Sequence, residues 1–324
     1  MLINGKWQNK WDPYQKSNEQ GEFIRQTSSF RHWVTVDGSA GPTGKAGFKA
    51  EPGRYHLYVA LICPWASRTL IVRKLKGLEK VISVSVVDPR LSEQGWRFLQ
   101  QENDITGAEQ DLVNGASYIH QLYTKAEKDF TGKATVPILW DKFTNTIVNN
   151  ESADIVQILN SAFDEWGNKD LDLRPSALLP EIEECNDWLY ENFNNGVYQA
   201  GFAQSQEAYE IANEKVFEVL HKLDKKLEDG REFIFKEQLT ETDIRAFVTL
   251  IRFDAAYHGL FKCNLKRIVD FPNLQAYMER IYALPGISET VNIEHIKKGY
   301  YSIKALNPLG IVPSGPNLNF IMGD

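Results

Sequence analysis

With 324 residues and a mass of 37.0 kDa, the chain has room for two domains at roughly 100–200 residues each. Hydrophobic residues at 43% and charged residues at 24% fit a globular protein and exclude a collagen, a coiled coil or a chain disordered throughout. Lys+Arg at 36 against Asp+Glu at 43 gives a formal charge of -7, so there is no basic footprint for nucleic acid. The longest apolar runs, such as Leu57–Ile62, are too short for a membrane span. Met1–Trp11 is polar and lacks the apolar core of a secretory signal. Three cysteines in so long a chain point to reduced thiols and a cytoplasmic location rather than to a disulfide framework.

Residues 1–53 read as an irregular extension. Gly38, Gly41, Pro42, Gly44, Gly47 and Gly53 crowd its second half, leaving little room for regular structure. Tyr55–Ile62 is rich in β-formers and reads as a buried strand. Pro64 then stands at the first position of a helix over Ala66–Lys76, which Gly77 stops. Val81–Val87 is a second strand. Residues 88–116 form a loop too long for a plain connector. Ser117–Phe130 reads as a helix, Thr135–Trp140 and Thr146–Val148 as two strands around a turn at Lys142–Asn145, and Glu151–Asn160 as a helix with Ile155, Ile158 and Leu159 on one face. The order from residue 55 is β-α-β-α-β-β-α, a small mixed sheet with helices against it. Polar Asp164–Pro180, with two prolines, carries a linker. Helical patterning follows from Glu181 to Ala283, with a capping box at Thr240 and Asp243 flanked by Leu239 and Ile244. Beyond Tyr300, Pro308, Pro313 and Pro316 mark an irregular tail.

Three segments carry chemistry. Cys63-Pro64-Trp65-Ala66 sets a thiol at a strand-to-helix junction. Free backbone N–H groups and the helix dipole stabilise a thiolate there. A buried, inert cysteine is the other reading of the same residues. Ala66 occupies the place where a Cys-x-x-Cys enzyme carries its resolving thiol. Resolution then falls to Cys185, to Cys263 or to a small external thiol. Val136-Pro137 marks either an edge strand or a cis bond. A cis bond would leave Val136 N–H and C=O for a peptide-like ligand added as a strand. Asn150-Glu151-Ser152 opens the next helix. It either caps that helix or grips a carboxylate with its N–H groups and the Ser152 hydroxyl while Glu151 takes an ammonium.

Together the segments describe a ligand with a thiol, a peptide backbone and a free amino-acid end, which is the chemistry of glutathione. Tyr198, Tyr257, Tyr300 and Tyr301 fit core packing. A phenol beside a thiolate also lowers its pKa or transfers a proton. The six histidines show no metal-ligand spacing, so no metal site is expected.

Cys63-Pro64-Trp65-Ala66, Thr135-Val136-Pro137 and Asn150-Glu151-Ser152 resemble the glutathione S-transferase superfamily, and within it the glutathionyl-hydroquinone reductases, the Xi class. Phe30-Arg31-His32-Trp33, Arg54–Val59, Asn194–Tyr198, Leu239–Arg245 and Asn307–Pro313 extend the likeness over nearly the whole chain. The resemblance implies an α/β thioredoxin-like N-terminal domain at 54–163, a linker at 164–176, an all-α substrate domain at 177–300 and an irregular tail at 301–324, assembled as a homodimer. It implies glutathione-dependent reduction of glutathionyl-hydroquinones, with glutathione as co-substrate, no bound cofactor, and glutathione disulfide released. Cys63 is then the nucleophile and Tyr198 the proton donor, with Tyr257 and Tyr300 lowering the thiolate pKa. Trp96, Lys133, Val136, Glu151 and Ser152 hold glutathione. Lys133-Ala134 stands where the family usually has Arg-Val, which keeps a charge but not a guanidinium fork. A conjugating or omega-like thiol-transferring transferase is the alternative activity. A non-enzymatic scaffold on the same fold is a third reading.

Overall fold

Asn4-Gly5 makes the first turn of the chain. Both residues have positive φ (46° and 72°), as a tight hairpin requires, and they join β1 (Leu2–Ile3) to antiparallel β2 (Lys6–Trp7). A side chain at Gly5 would collide with the Lys128 carbonyl oxygen at 2.0 Å. This hairpin lies where irregular chain was expected, and the Asn-Gly pair was its overlooked signal.

The computed structural model describes residues 1–9, 17–100, 105–318 and 320. They fall into two units, one within residues 1–11 and 27–171 and one within 12–26 and 172–324. The expected extension at 1–53 is therefore not a separate body. Its parts pack with different units, and residues 10–16 of it lie outside the described residues, as do 101–104, 319 and 321–324.

The first unit is built on β3 (Tyr55–Val59), α1 (Pro64–Leu75), β4 (Ser83–Val86), α2 (Ile119–Ala126), β5 (Ile138–Asp141), β6 (Thr146–Asn149) and α3 (Ser152–Ser161). The sheet order is β4-β3-β5-β6, with β3 parallel to β4 and antiparallel to β5. This reproduces the expected element order. β3 is buried at all five residues, and Leu139, Trp140, Ile147 and Val148 join it in the core. α1 and α3 pack against each other, with Ile155, Ile158 and Leu159 inward.

Four elements are shorter than expected: β3 ends at Val59 rather than Ile62, and β4 spans Ser83–Val86 rather than Val81–Val87. β5 starts at Ile138 rather than Thr135, because Pro137 has no N–H for the ladder. α2 stops at Ala126 rather than Phe130. Its chain turns out so that the Phe130 carbonyl receives the Gly5 N–H at 3.0 Å and the Phe130 ring meets Phe30 and Tyr123.

The second unit holds α4 (Leu179–Leu189), α5 (Gly196–Gly201), α6 (Gln206–Lys226), α7 (Glu241–Arg252), α8 (Pro272–Tyr282) and α9 (Ile293–Tyr300). The Thr240–Asp243 capping box is present, and the buried Asp243 also takes the Ile234 N–H and the Tyr277 hydroxyl at 2.8 Å each. Two π-helical turns, Tyr190–Asn194 and Phe253–Tyr257, interrupt this unit. Asn194-Asn195-Gly196, which reads as a turn in the sequence, is the joint between the first of them and α5. Tyr300 is the last residue of α9.

His56 on β3 is 2% exposed. Its Nδ1 lies 2.7 Å from the Ser83 hydroxyl and its Nε2 meets no partner among the described residues. Burial lowers its pKa to about 4, Asp111 opposing and Lys142 and Arg73 adding. The unfolded chain thus takes up a proton near pH 6.5 that the folded chain refuses until about pH 4. Stability should be full above 6.5 and fall by about 3 kcal/mol from this residue as pH drops through that window. Urea unfolding from pH 7 to pH 4 checks it: the slope should flatten in His56→Asn, and an equal slope in both proteins refutes it.

Candidate active site

Cys63 is the N-cap of α1 and Pro64 its first residue. Its backbone is extended (φ -77°, ψ 116°) and its carbonyl accepts the Ser67 N–H at 3.0 Å. The side chain makes no capping bond. Instead Sγ points to the Val136 carbonyl oxygen, 3.7 Å away, and is half-buried. The Val136–Pro137 peptide is cis. Val136 is 5% exposed, and its N–H has no hydrogen bond among the described residues. The thiol and the Val136 peptide thus meet at one point, and the carbonyl that the sequence reading left to a ligand is the one that Sγ faces.

The third segment joins them through Tyr123 on α2. Its fully buried hydroxyl donates to the Thr135 carbonyl at 3.0 Å and accepts the Thr135 N–H at 3.1 Å and Asn150 Nδ2 at 2.9 Å. One phenol therefore ties the chain before Pro137 to the chain before α3. Sequence reasoning passed over Tyr123, because nothing in a helical tyrosine announces which backbone it will hold.

Glu151 is the N-cap of α3. Its carboxylate accepts the Ala153 N–H at 3.1 Å and the Ser28 hydroxyl at 2.8 Å, and the buried Ser152 hydroxyl donates to it at 3.4 Å. Capping, the bland reading, is realised here. Oε1 takes the Ala153 and Ser152 donors and Oε2 the Ser28 hydroxyl, which leaves room on Oε2 for a further donor. The Asn150 N–H donates to the Phe30 carbonyl, the Phe30 N–H donates to the Asn150 side-chain carbonyl, and Arg31 pairs with the buried Asp154. The Phe30–Trp33 stretch of the extension thus braces the start of α3.

Trp96 is half-buried in the long loop, where its carbonyl accepts the Ile119 N–H at 3.0 Å. The loop is pinned rather than loose. Asp88, fully buried, receives Arg90 and Arg97 at 2.7–3.0 Å. Burial alone would raise its pKa, but these bonds bring it below the ordinary value. Lys133 is half-buried and follows Gly132, which pairs with Leu2 in both directions.

In the second unit the three candidate tyrosines converge. Tyr300 is 2.6 Å from the Tyr198 hydroxyl and 2.8 Å from the Tyr257 hydroxyl, and the Phe261 ring contacts all three. Tyr257 and Tyr300 are fully buried, and Tyr198 is half-buried. Burial first, and charge at Tyr198 second, hold Tyr257 and Tyr300 well above the usual phenol pKa, so both stay protonated. The second π turn ends at Tyr257, and the first ends at Asn194, about one helical turn before Tyr198. An inserted residue rotates the following side chains by about 100°. Tyr301 lies outside the trio; its hydroxyl would lie 2.8 Å from a Cβ placed on Gly259.

Burial pushes the Cys185 thiol up to about 11 and the Cys263 thiol up to about 12. Neither is a thiolate near neutral pH, which removes both as efficient resolving nucleophiles. No cluster of three or more metal-ligating side chains occurs among the described residues, and no helix among them is long and apolar enough to cross a membrane.

The matches to known proteins agree with this arrangement. Residues 62–162 match the N-terminal domain of glutathione S-transferases and residues 206–280 the C-terminal domain. The chain belongs to the glutathione S-transferase superfamily. Within it, the chain is 50% identical to the glutathionyl-hydroquinone reductase YqjG of Escherichia coli over 317 residues, covering 98% of this chain and 95% of that protein. It is 47% identical to the glutathionyl-hydroquinone reductase PcpF of Sphingobium chlorophenolicum, covering 98% and 96%. The glutathione-bound structure of the Escherichia coli protein superimposes with a TM-score of 0.89, covering 99% of this chain and 97% of that one. The Xi transferase of Phanerochaete chrysosporium gives 0.88 at 47% identity, covering 94% and 96%. The branch is thus the glutathionyl-hydroquinone reductases of the Xi class, and the fold is thioredoxin-like plus all-helical.

Tyr123→Phe should cost about 2 kcal/mol, because it strips the buried Asn150 amide and the Thr135 N–H of their acceptor. Denaturant unfolding of the variant measures this. A change below a few tenths of a kcal/mol would show that the hydroxyl does not hold the two segments together.

Proposed function

We propose that the protein reduces glutathionyl-hydroquinones to hydroquinones through a Cys63–glutathione mixed disulfide. The observation that carries this reading is the Cys63 thiol at the N-terminus of α1, 3.7 Å from the Val136 carbonyl, with Ala66 in place of a resolving cysteine. The Cys63 thiolate attacks the sulfur that joins glutathione to the aromatic ring. The S–S bond forms and the carbon–sulfur bond breaks, leaving an electron pair on the ring carbon. Tyr198 supplies the proton there. The hydroxyl ortho or para to that carbon assists by allowing a keto tautomer, which simple alkyl thioethers lack. A second glutathione thiolate then attacks the mixed disulfide and releases glutathione disulfide. An external thiol is needed because Cys185 and Cys263 are held as thiols by burial.

Within this mechanism Val136 pairs with the glutathione backbone, Glu151 takes its ammonium, and Ser152 its α-carboxylate. Lys133 lies toward the glycine carboxylate, and Trp96 packs on the peptide. Tyr257 and Tyr300, kept protonated, relay hydrogen bonds to Tyr198 and temper the thiolate. The protein works as a cytoplasmic homodimer.

Single-turnover mass spectrometry with a glutathionyl-hydroquinone and no free glutathione tests the reading. Cys63 should gain one glutathione as free hydroquinone appears, and Cys63→Ala should lose turnover while still binding glutathione. Intact substrate over an unmodified Cys63, with activity toward a chlorinated aromatic electrophile, would instead assign a conjugating transferase.

A further inference from the structure

Residues 17–26 belong to the helical unit, although they precede the whole thioredoxin-like domain in sequence. They form a strap across the turn between α5 and α6. The Gly21 carbonyl accepts the Gln204 N–H at 3.0 Å, and the Ser205 hydroxyl donates to the Gln20 carbonyl at 3.0 Å. Phe23 packs on Phe202 with ring centres 5.6 Å apart. The strap delivers Arg25 to the face of Tyr198. The guanidinium carbon lies 4.8 Å from the ring centre, and Nε donates to the Asn195 side-chain carbonyl at 2.9 Å. Asn195 is buried, and its backbone carbonyl accepts the Tyr198 N–H at 2.9 Å. One arginine therefore grips both the ring of Tyr198 and the residue that starts its helix.

We propose that Arg25 is a positioning residue for Tyr198: it fixes the phenol by its ring face and stabilises the negative charge left on its oxygen as the proton departs to the substrate carbon. This rests on the proton-donor role given to Tyr198 above. A guanidinium against an aromatic face is attracted to it, and a fixed positive charge at that range favours the ionised phenol. Among the described residues, Tyr300 and Tyr257 also face Tyr198, and burial keeps both protonated. Arg252 acts on those two in the same sense as Arg25 would on Tyr198. Arg25 also lines a cavity of about 440 Å³ with Glu22, Glu191 and Lys215, two acidic side chains against two basic ones. Within the trio, therefore, Tyr198 is the phenol at which negative charge is best tolerated.

The test is the pH profile of single-turnover hydroquinone release by the full chain, in wild type, Arg25→Gln, Arg25→Lys and Tyr198→Phe. Arg25→Gln should lower the plateau by roughly threefold to tenfold and move the alkaline arm to higher pH by about one pH unit. Arg25→Lys, which keeps the charge, should leave the arm in place. A purely structural role would lower the rate in both variants without moving the arm, and that result overturns the proposal. A wild-type rate in Tyr198→Phe overturns the donor role and this proposal together. An impaired Tyr198→Phe beside an unshifted Arg25→Gln overturns this proposal alone. Glutathionylation of Cys63, read by mass in every variant, keeps the reductase reading separate from both.

Discussion

The antiparallel pairing of β3 with β5 is the constraint on which the thiol site depends. Tyr58 lies opposite Ile138, so the exit of β3 and the beginning of β5 are at one end of the sheet. Cys63 leaves by that end and Val136 arrives by it. The β5–β6 hairpin brings Asn149 back opposite Leu139, which returns the start of α3 to the same end. A register slip would reverse every side chain on the strand, and these strands are buried throughout, so no such slip is tolerated. Three separate segments of sequence are made neighbours by main-chain pairing alone.

What pairing leaves approximate, buried polar groups refine. Tyr123 spans the two loops that pairing brought close. Asp154, paired with Arg31 and bonded by Asn149, fixes the first turn of α3 from the side of the N-terminal extension. Asp88 does the same for the loop bearing Trp96. Each carboxylate is almost wholly buried, and each is repaid by charge-assisted bonds. The extension is thus not an appendage. One part braces α3 of the first unit, and another reaches the tyrosines of the second.

Much of this was legible in the residues. The strand-to-helix cysteine, the β-α-β-α-β-β-α order and the Thr240–Asp243 cap all follow from local patterns whose physics is short-range. Helix ends were less legible: α2 stops early because Phe130 is claimed by contacts with Gly5, Phe30 and Tyr123, and no local rule contains those partners. The tyrosines were visible only as a family likeness. Their convergence follows two π turns, Tyr190–Asn194 and Phe253–Tyr257, within a stretch whose patterning reads as ordinary helix. Arg25 lay in a stretch that reads as loop, and what it touches is 170 positions further on.

The π turns carry a further consequence. Each holds one residue more than an α-helical turn, closed by the Tyr190-to-Asn195 and Phe253-to-His258 backbone bonds. Removing a single residue from either would restore the better hydrogen-bond geometry of the α form and swing its tyrosine out of the cluster. Such a cluster is therefore gained or lost by insertions and deletions more readily than by point substitutions. In a lineage, chain length through these two turns would mark the presence of the trio even where the tyrosines themselves are kept for packing.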